Sequence, residues 1–264
     1  MSKRKIFILF GASLLLFAAV LWASGQTVEE QLKKGDESYA QNDYPKALEQ
    51  YLAAAQADPK NYEAQWKACR TLVDVGDLVD TTVKENGDKQ KKYYQDAEAY
   101  GRKAVALNAN DTWGHFYLSA AMGKHALMLG KKQQVQMAKE IKNEIDKAIE
   151  LDATNDGAFH ALGRWHRRMD EIGGFARLMA GIYGGLPKGT FEESEKYLKK
   201  ATELRPDYIN HHLELGRTYL ALKKYQPASD EFQKCLDLPA STPKDPGYKK
   251  EATEELAGAK KKIK

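Results

Sequence analysis

Large apolar side chains fall at helical spacing in one conspicuous place. Phe175, Leu178, Met179, Ile182 and Tyr183 occupy i, i+3, i+4, i+7 and i+8 between Gly173-Gly174 and Gly184-Gly185, which predicts a short amphipathic helix. A longer pattern surrounds it. From the small Gly35, Ala47 follows twelve positions later, Tyr51 sixteen, Ala54 nineteen and Pro59 twenty-four. Gly216, Ala228, Phe232 and Cys235 reproduce the intervals up to nineteen. Two helices of a hairpin approach closely only where facing positions are small, while large side chains fill the remaining grooves. The pattern therefore predicts stacked helical hairpins.

Hairpins with this signature resemble the tetratricopeptide repeat, whose unit is roughly 34 residues. With insertions allowed, five units are expected at 28–61, 62–111, 112–155, 156–208 and 209–241, followed by a capping helix over 246–263. The small place of the first helix is filled by Gly35, Cys69, Ser119, Gly163 and Gly216, and the last small place of the second by Ala54, Ala104, Ala148, Ala201 and Cys235. Two positions depart: Ile141 stands where the second helix should begin small, and Gly101 where a bulky residue is expected. The middle units exceed the standard length by 16, 10 and 19 residues. The extra length falls on the polar run Lys84–Lys92, on the surroundings of Gly130, and on the stretch 173–190 that carries the amphipathic helix. Thr190 and Glu193 form a capping-box signature for the helix that follows. The fold expected for 26–264 is all-α: a right-handed α-solenoid of about five hairpins with insertions and a C-terminal cap.

Residues 1–25 stand apart. Lys3, Arg4 and Lys5 precede an uncharged apolar run from Ile6 to Trp22, and Ala23-Ser24-Gly25 offers a small-residue cleavage site before Gln26. This reads as a secretory signal of bacterial type, with an uncleaved membrane anchor as the alternative. Without the leader, 38 basic side chains face 37 acidic ones, so charge gives no argument for nucleic acid. Cys69 and Cys235 occupy small packing places in different units and read as buried thiols.

Repeat register places the residue after each first-helix small position on the inner, concave wall: Asp36, Arg70, Ala120, Arg164 and Arg217. Residues three and four further on share that face and add Arg167 and Arg168; four positions before lie Leu32, Trp66, Phe116, His160 and Leu213. Forked guanidinium groups suit carboxylates, and aromatics beside them suit apolar side chains of a bound segment. The candidate partner-binding set is Arg70, Arg164, Arg167 and Arg217 with Trp66, Phe116 and His160, and the expected partner is a protein or peptide of acidic character. The plainer alternatives are pairing of these arginines with Asp170, Glu171 and Glu214, or an inserted helix folded into the groove. His160 and His166 do not converge on a helix, nor do His211 and His212. No metal-binding, nucleophile or phosphate-loop motif occurs, so neither enzyme nor cofactor is expected.

A narrower resemblance joins the first. LGRW (162–165), the inserted apolar helix, TFEESEKYLKKATELRP (190–206), LGRTYL (215–220) and CLDLPAST (235–242) resemble the regulator of microtubule dynamics protein family over roughly 62–260. The resemblance implies a helical-repeat domain of non-enzymatic character, often membrane-associated. The expected function is an interaction scaffold of the cell envelope, in the periplasm or held at the inner membrane. The alternative is a membrane-anchored architectural protein acting by self-association or lipid contact.

Overall fold

The structure, a computed structural model, describes residues 27–263; the leader reading concerns residues outside that range. Twelve α-helices and one 3₁₀ turn make up the described chain, and no strand occurs among the described residues. Five hairpins follow one another: α1 (Val28–Ala40) with α2 (Tyr44–Ala57), α3 (Tyr62–Asp77) with α4 (Asn86–Leu107), and α5 (Thr112–Leu127) with α6 (Lys131–Leu151). Then α7 (Asp156–Asp170) pairs with α9 (Phe191–Leu204), and α10 (Ile209–Ala221) with α11 (Tyr225–Asp237). The insert of the fourth hairpin forms α8 (Gly174–Ala180) and the 3₁₀ turn Gly181–Tyr183, and α12 (Asp245–Lys260) covers the last hairpin. The result is a right-handed α-solenoid of tetratricopeptide type.

Local chemistry sets the helix starts. Asn61, Asp111 and Asn155 each accept a backbone N–H with the side chain, opening α3, α5 and α7. Thr27 and Glu30 complete a full capping box on α1. At α9 only half of the expected box forms. Thr190 accepts from the Glu193 N–H at 3.1 Å, while the Glu193 carboxylate takes Lys196 at 3.2 Å.

The hairpins are locked by size complementarity between the first-helix small place and the residue three before the last small place. A Cβ on Gly35 would lie 2.4 Å from the Tyr51 ring, one on Gly163 2.5 Å from Leu198, and one on Gly216 2.5 Å from Phe232. Where Cys69 replaces glycine, the facing residue shrinks to Gly101, whose own Cβ would meet the Cys69 sulfur at 3.0 Å. The departure at Gly101 is thus an exchange of large and small across one contact. Ile141 lies partly buried against the Ile145, Leu162 and Trp165 core, and the Trp165 indole donates to the Ala138 carbonyl at 3.0 Å. Both cysteines are free and buried, and burial pushes the Cys235 thiol up to about 12.

The solenoid curves until its two ends meet. The Asn42 side chain, in the first turn, donates to the Ser241 carbonyl at 3.0 Å. The segment between α11 and α12 continues inward, where the Lys244 ammonium reaches Asp74 at 2.7 Å and Asp77 at 3.5 Å on α3.

Candidate functional site

First helices of successive hairpins line the inner wall, and its two halves differ. In the front half the Arg70 guanidinium lies 3.5 Å above the Tyr39 ring centre and donates to the Tyr51 hydroxyl at 3.2 Å. The Tyr39 hydroxyl donates to Asp74 at 2.8 Å. Trp66 stacks on Tyr117, with ring centres 5.5 Å apart, and on Trp113 at 5.9 Å. Phe116 closes this aromatic rim, packing against Tyr117 and filling the space over Gly157. Arg70 is therefore bound into an aromatic cage. Beside it, Asp74 and Asp77 make the wall acidic, and Lys244, Lys124 and the Tyr94 hydroxyl occupy them. Burial would raise the Asp77 carboxyl, but Lys124 and Lys244 hold it below its usual range. This half already holds a segment of its own chain.

The rear half turns on Glu214 of α10. Its buried carboxylate receives Arg217 at 3.0 Å and Arg167 at close contact, with the Arg164 Nε at 3.6 Å. Burial pushes that carboxyl up; Arg164 and Arg167 outweigh it and hold the group well below the usual carboxylate range. Arg167 is also tied to Glu171 at 2.9 Å, and Arg217 to Glu251 at 2.5 Å and Glu255 at 2.6 Å. The Arg164 Nε is buried without a hydrogen-bond partner. Arg168, one turn further on the same face, is exposed and has no carboxylate within 4.0 Å among the described residues. Burial, then the charges of Arg164 and Arg167, lower the Arg168 guanidinium pKa. Lys124 is lowered by burial, raised by Asp77 and lowered again by Arg164.

The structure redistributes the roles expected from register. Arg164 is the most loosely held of the three around Glu214, at 3.6 Å. Arg167 and Arg217 are spent on buried or shared carboxylates, so they brace the wall. Arg70 faces an aromatic cage. His160 lies buried beneath the surface and cannot serve as a contact residue. The inserted helix leaves the groove open: its 3₁₀ turn rests against α6, a second helix, on the outer side. Arg168 shares the face but lacks the carboxylate partners of its neighbours; its spacing from Arg164 was legible, its freedom was not.

Comparison with known proteins bears on what this architecture is. The sequence profile described as Regulator of microtubule dynamics protein 1-3 matches residues 31–260. The chain belongs to that family. Among its relatives, Regulator of microtubule dynamics protein 1 of Bos taurus is 27% identical over 234 residues, spanning 88% of this chain and 72% of the bovine protein. Its Caenorhabditis elegans counterpart is 24% identical over 217 residues, spanning 82% and 93%. The fold also matches TTC0263, a thermophilic TPR protein of Thermus thermophilus, with a TM-score of 0.63 at 18% identity, covering 88% of this chain and 100% of that one. Pseudomonas aeruginosa pilF superposes with a TM-score of 0.52 at 12% identity, covering 88% of each chain.

In this member of the regulator of microtubule dynamics family the histidines serve the scaffold. His115 and His212 hold equivalent places: each Nε2 meets the carbonyl six residues back, Ala109 at 3.1 Å and Pro206 at 2.8 Å. Each Nδ1 meets a glutamate of the second helix at 2.6 Å, Glu144 and Glu231. Gln65 donates to Pro59 in the same place of the second hairpin. Between hairpins four and five, His211 Nε2 lies 2.9 Å from Asp156 and its Nδ1 lies 2.9 Å from His160 Nδ1. With Asp156 ionised, His211 donates through Nε2, so its bare Nδ1 accepts from the His160 Nδ1–H.

Burial lowers the pKa of both rings, His160 well below the ordinary histidine value. The unfolded chain protonates them below about pH 6.5, so their stability contribution is fully present above that pH and lost as pH falls towards the folded values. Burial raises the Asp156 carboxyl, but the His211 hydrogen bond and charge bring it below the usual range; its contribution also fades on acidification. The thermal midpoint should fall between about pH 7 and about pH 5. His160→Gln should flatten that slope; parallel pH profiles for the two proteins would contradict it.

Proposed function

We propose that this domain is a non-enzymatic scaffold of the cell envelope whose rear inner wall holds an acidic segment of a partner protein. The observation that carries this reading is the pair Arg164 and Arg168. Their neighbours Arg167 and Arg217 each meet at least two carboxylates, whereas Arg164 reaches Glu214 only at 3.6 Å and the exposed Arg168 has no carboxylate within 4.0 Å among the described residues. A bound carboxylate would supply the missing partner through forked hydrogen bonds, and a curved wall of first helices is the surface that solenoids offer to partners. The aromatic rim of Trp66, Trp113 and Phe116 would take apolar side chains of the same segment. The basic and apolar leader with its small-residue site supports the export part of this reading, with the partner in the periplasm or at the inner membrane.

The test uses protein exported from its native host with a C-terminal tag, expected to begin at Gln26, and a fluorescent glutamate-rich peptide as probe. Arg164→Gln with Arg168→Glu should weaken binding about tenfold or more in protein that circular dichroism shows to be folded at the assay temperature. Glutamine at 164 spares Glu214, which keeps Arg167 and Arg217. Equal binding by the double variant would reject the assignment.

A further inference from the structure

The insertions that lengthen hairpins two, three and four all fall at the turn between the first and second helix of their hairpin. Hairpins stack side by side, the second helix of each against the first helix of the next, so these turns lie along one edge of the solenoid. In repeat proteins, insertions confined to one side mark a working surface. That edge has an unusual composition. Among the described residues eleven large apolar side chains are exposed, and nine of them are here. Leu78 and Val83 stand in the second hairpin's turn, Leu127 and Met128 in the third's, and the other five are the apolar stripe of the insert. The stripe forms the helix expected from its spacing, with the opposite orientation to a packed element: Phe175 is 79% exposed, Leu178 73% and Ile182 71%, while Ala180 faces inward.

The insert is tied to the end of α7 in that posture. The Arg177 guanidinium donates to the Leu186 and Pro187 carbonyls at 3.3 and 3.1 Å and to the Met169 carbonyl, tying the end of α7 to both sides of the loop. From Ile172 to Phe191 the chain carries Arg177 and Lys188 and no carboxylate. Exposed lysines continue along the edge at Lys84, Lys131 and Lys132, with Asp80 and Glu85 exposed beside Lys84, so the basic stretch of the edge is the insert and the third turn.

We infer that this edge docks on an anionic lipid bilayer, with the insert entering the interfacial layer and the turn lysines meeting headgroup phosphates. Apolar tips set among lysines are the composition of a membrane-surface element. A second protein copy is disfavoured because stable protein interfaces gather their apolar residues in one central patch and are depleted of lysine. Here the apolar residues are divided among three turns. The contact is separate from the inner-wall site and does not depend on it.

The experiment places an environment-sensitive fluorophore at Ile182→Cys in the full chain. Cys69 and Cys235 are buried and stay unlabelled. The same label at Leu107→Cys, on the opposite edge, is the control. With phosphatidylcholine–phosphatidylglycerol vesicles the label at 182 should shift to the blue and be quenched by a lipid-borne quencher, while the label at 107 stays aqueous. Phe175→Asp with Leu178→Asp should reduce the response at 182 about tenfold or more. Lys131→Glu with Lys132→Glu should weaken it about fivefold per lysine, and only with the anionic lipid. Arg164→Gln with Arg168→Glu should leave it unchanged. An aqueous signal at 182, an equal response at 107, or a shift that appears without lipid and grows with protein concentration would each overturn the inference.

Discussion

Replacing Glu214 by Gln should lower the melting temperature by about 10 °C. The carboxylate is buried and serves Arg164, Arg167 and Arg217 at once. Removing one partner from a buried ionic cluster costs about 3–5 kcal/mol, because the remaining charges stay out of water without compensation. For a repeat domain of this length, each kcal/mol moves the midpoint by about 2–4 °C. The sign with pH follows from the lowered carboxyl: its stabilisation is present above about pH 4.5 and disappears as pH falls through the folded value. The exposed Glu171→Gln change, which touches Arg167 alone, should cost less than about 1 kcal/mol. Circular dichroism melts of both variants decide the matter, and a Glu214→Gln midpoint as high as that of Glu171→Gln would refute the cluster's role.

Lys244→Glu should release the segment that joins the two ends of the solenoid. Lys244 is partly buried, and although burial opposes its charge, Asp74 and Asp77 raise its pKa well above the ordinary lysine value. The variant would set a third carboxylate against two. A loss of about 3 kcal/mol in local stability corresponds to roughly a hundredfold faster amide exchange. Hydrogen exchange should show this acceleration in 239–244 and around Asn42, with α7, α9 and α10 unaffected. Unchanged protection of 239–244 would show that Lys244 does not hold the ends together. Opening the front half would also uncover Asp74 and Asp77, so the segment doubles as the groove's own occupant there.

The hairpin architecture was legible because its rule is local. Gly35 and Tyr51, or Gly216 and Phe232, are sixteen residues apart, and a fixed interval is visible wherever a small residue must face a large one. The exception at Gly101 was visible too, although its reason, the Cys69 sulfur across the contact, was not. The inner wall was legible only as a face. Register placed Arg164, Arg167, Arg168 and Arg217 together, but the carboxylates that brace three of them and leave Arg168 free come from Glu171 just past α7, from α10 and from α12. His160 shows the same limit from the other side: its register position points towards the groove, and packing against His211 buries it.

Sequence alone determined that this protein is a stack of helical hairpins, where each begins, and that an apolar stripe interrupts the fourth, since all of these follow from spacing within one or two turns of chain. Tertiary structure alone decided which way that stripe faces, that Arg168 keeps its guanidinium free of carboxylates, and that Lys244 closes the ring on α3. Those outcomes depend on groups up to 170 residues apart, and the burial and charge they experience exist only once the hairpins have stacked.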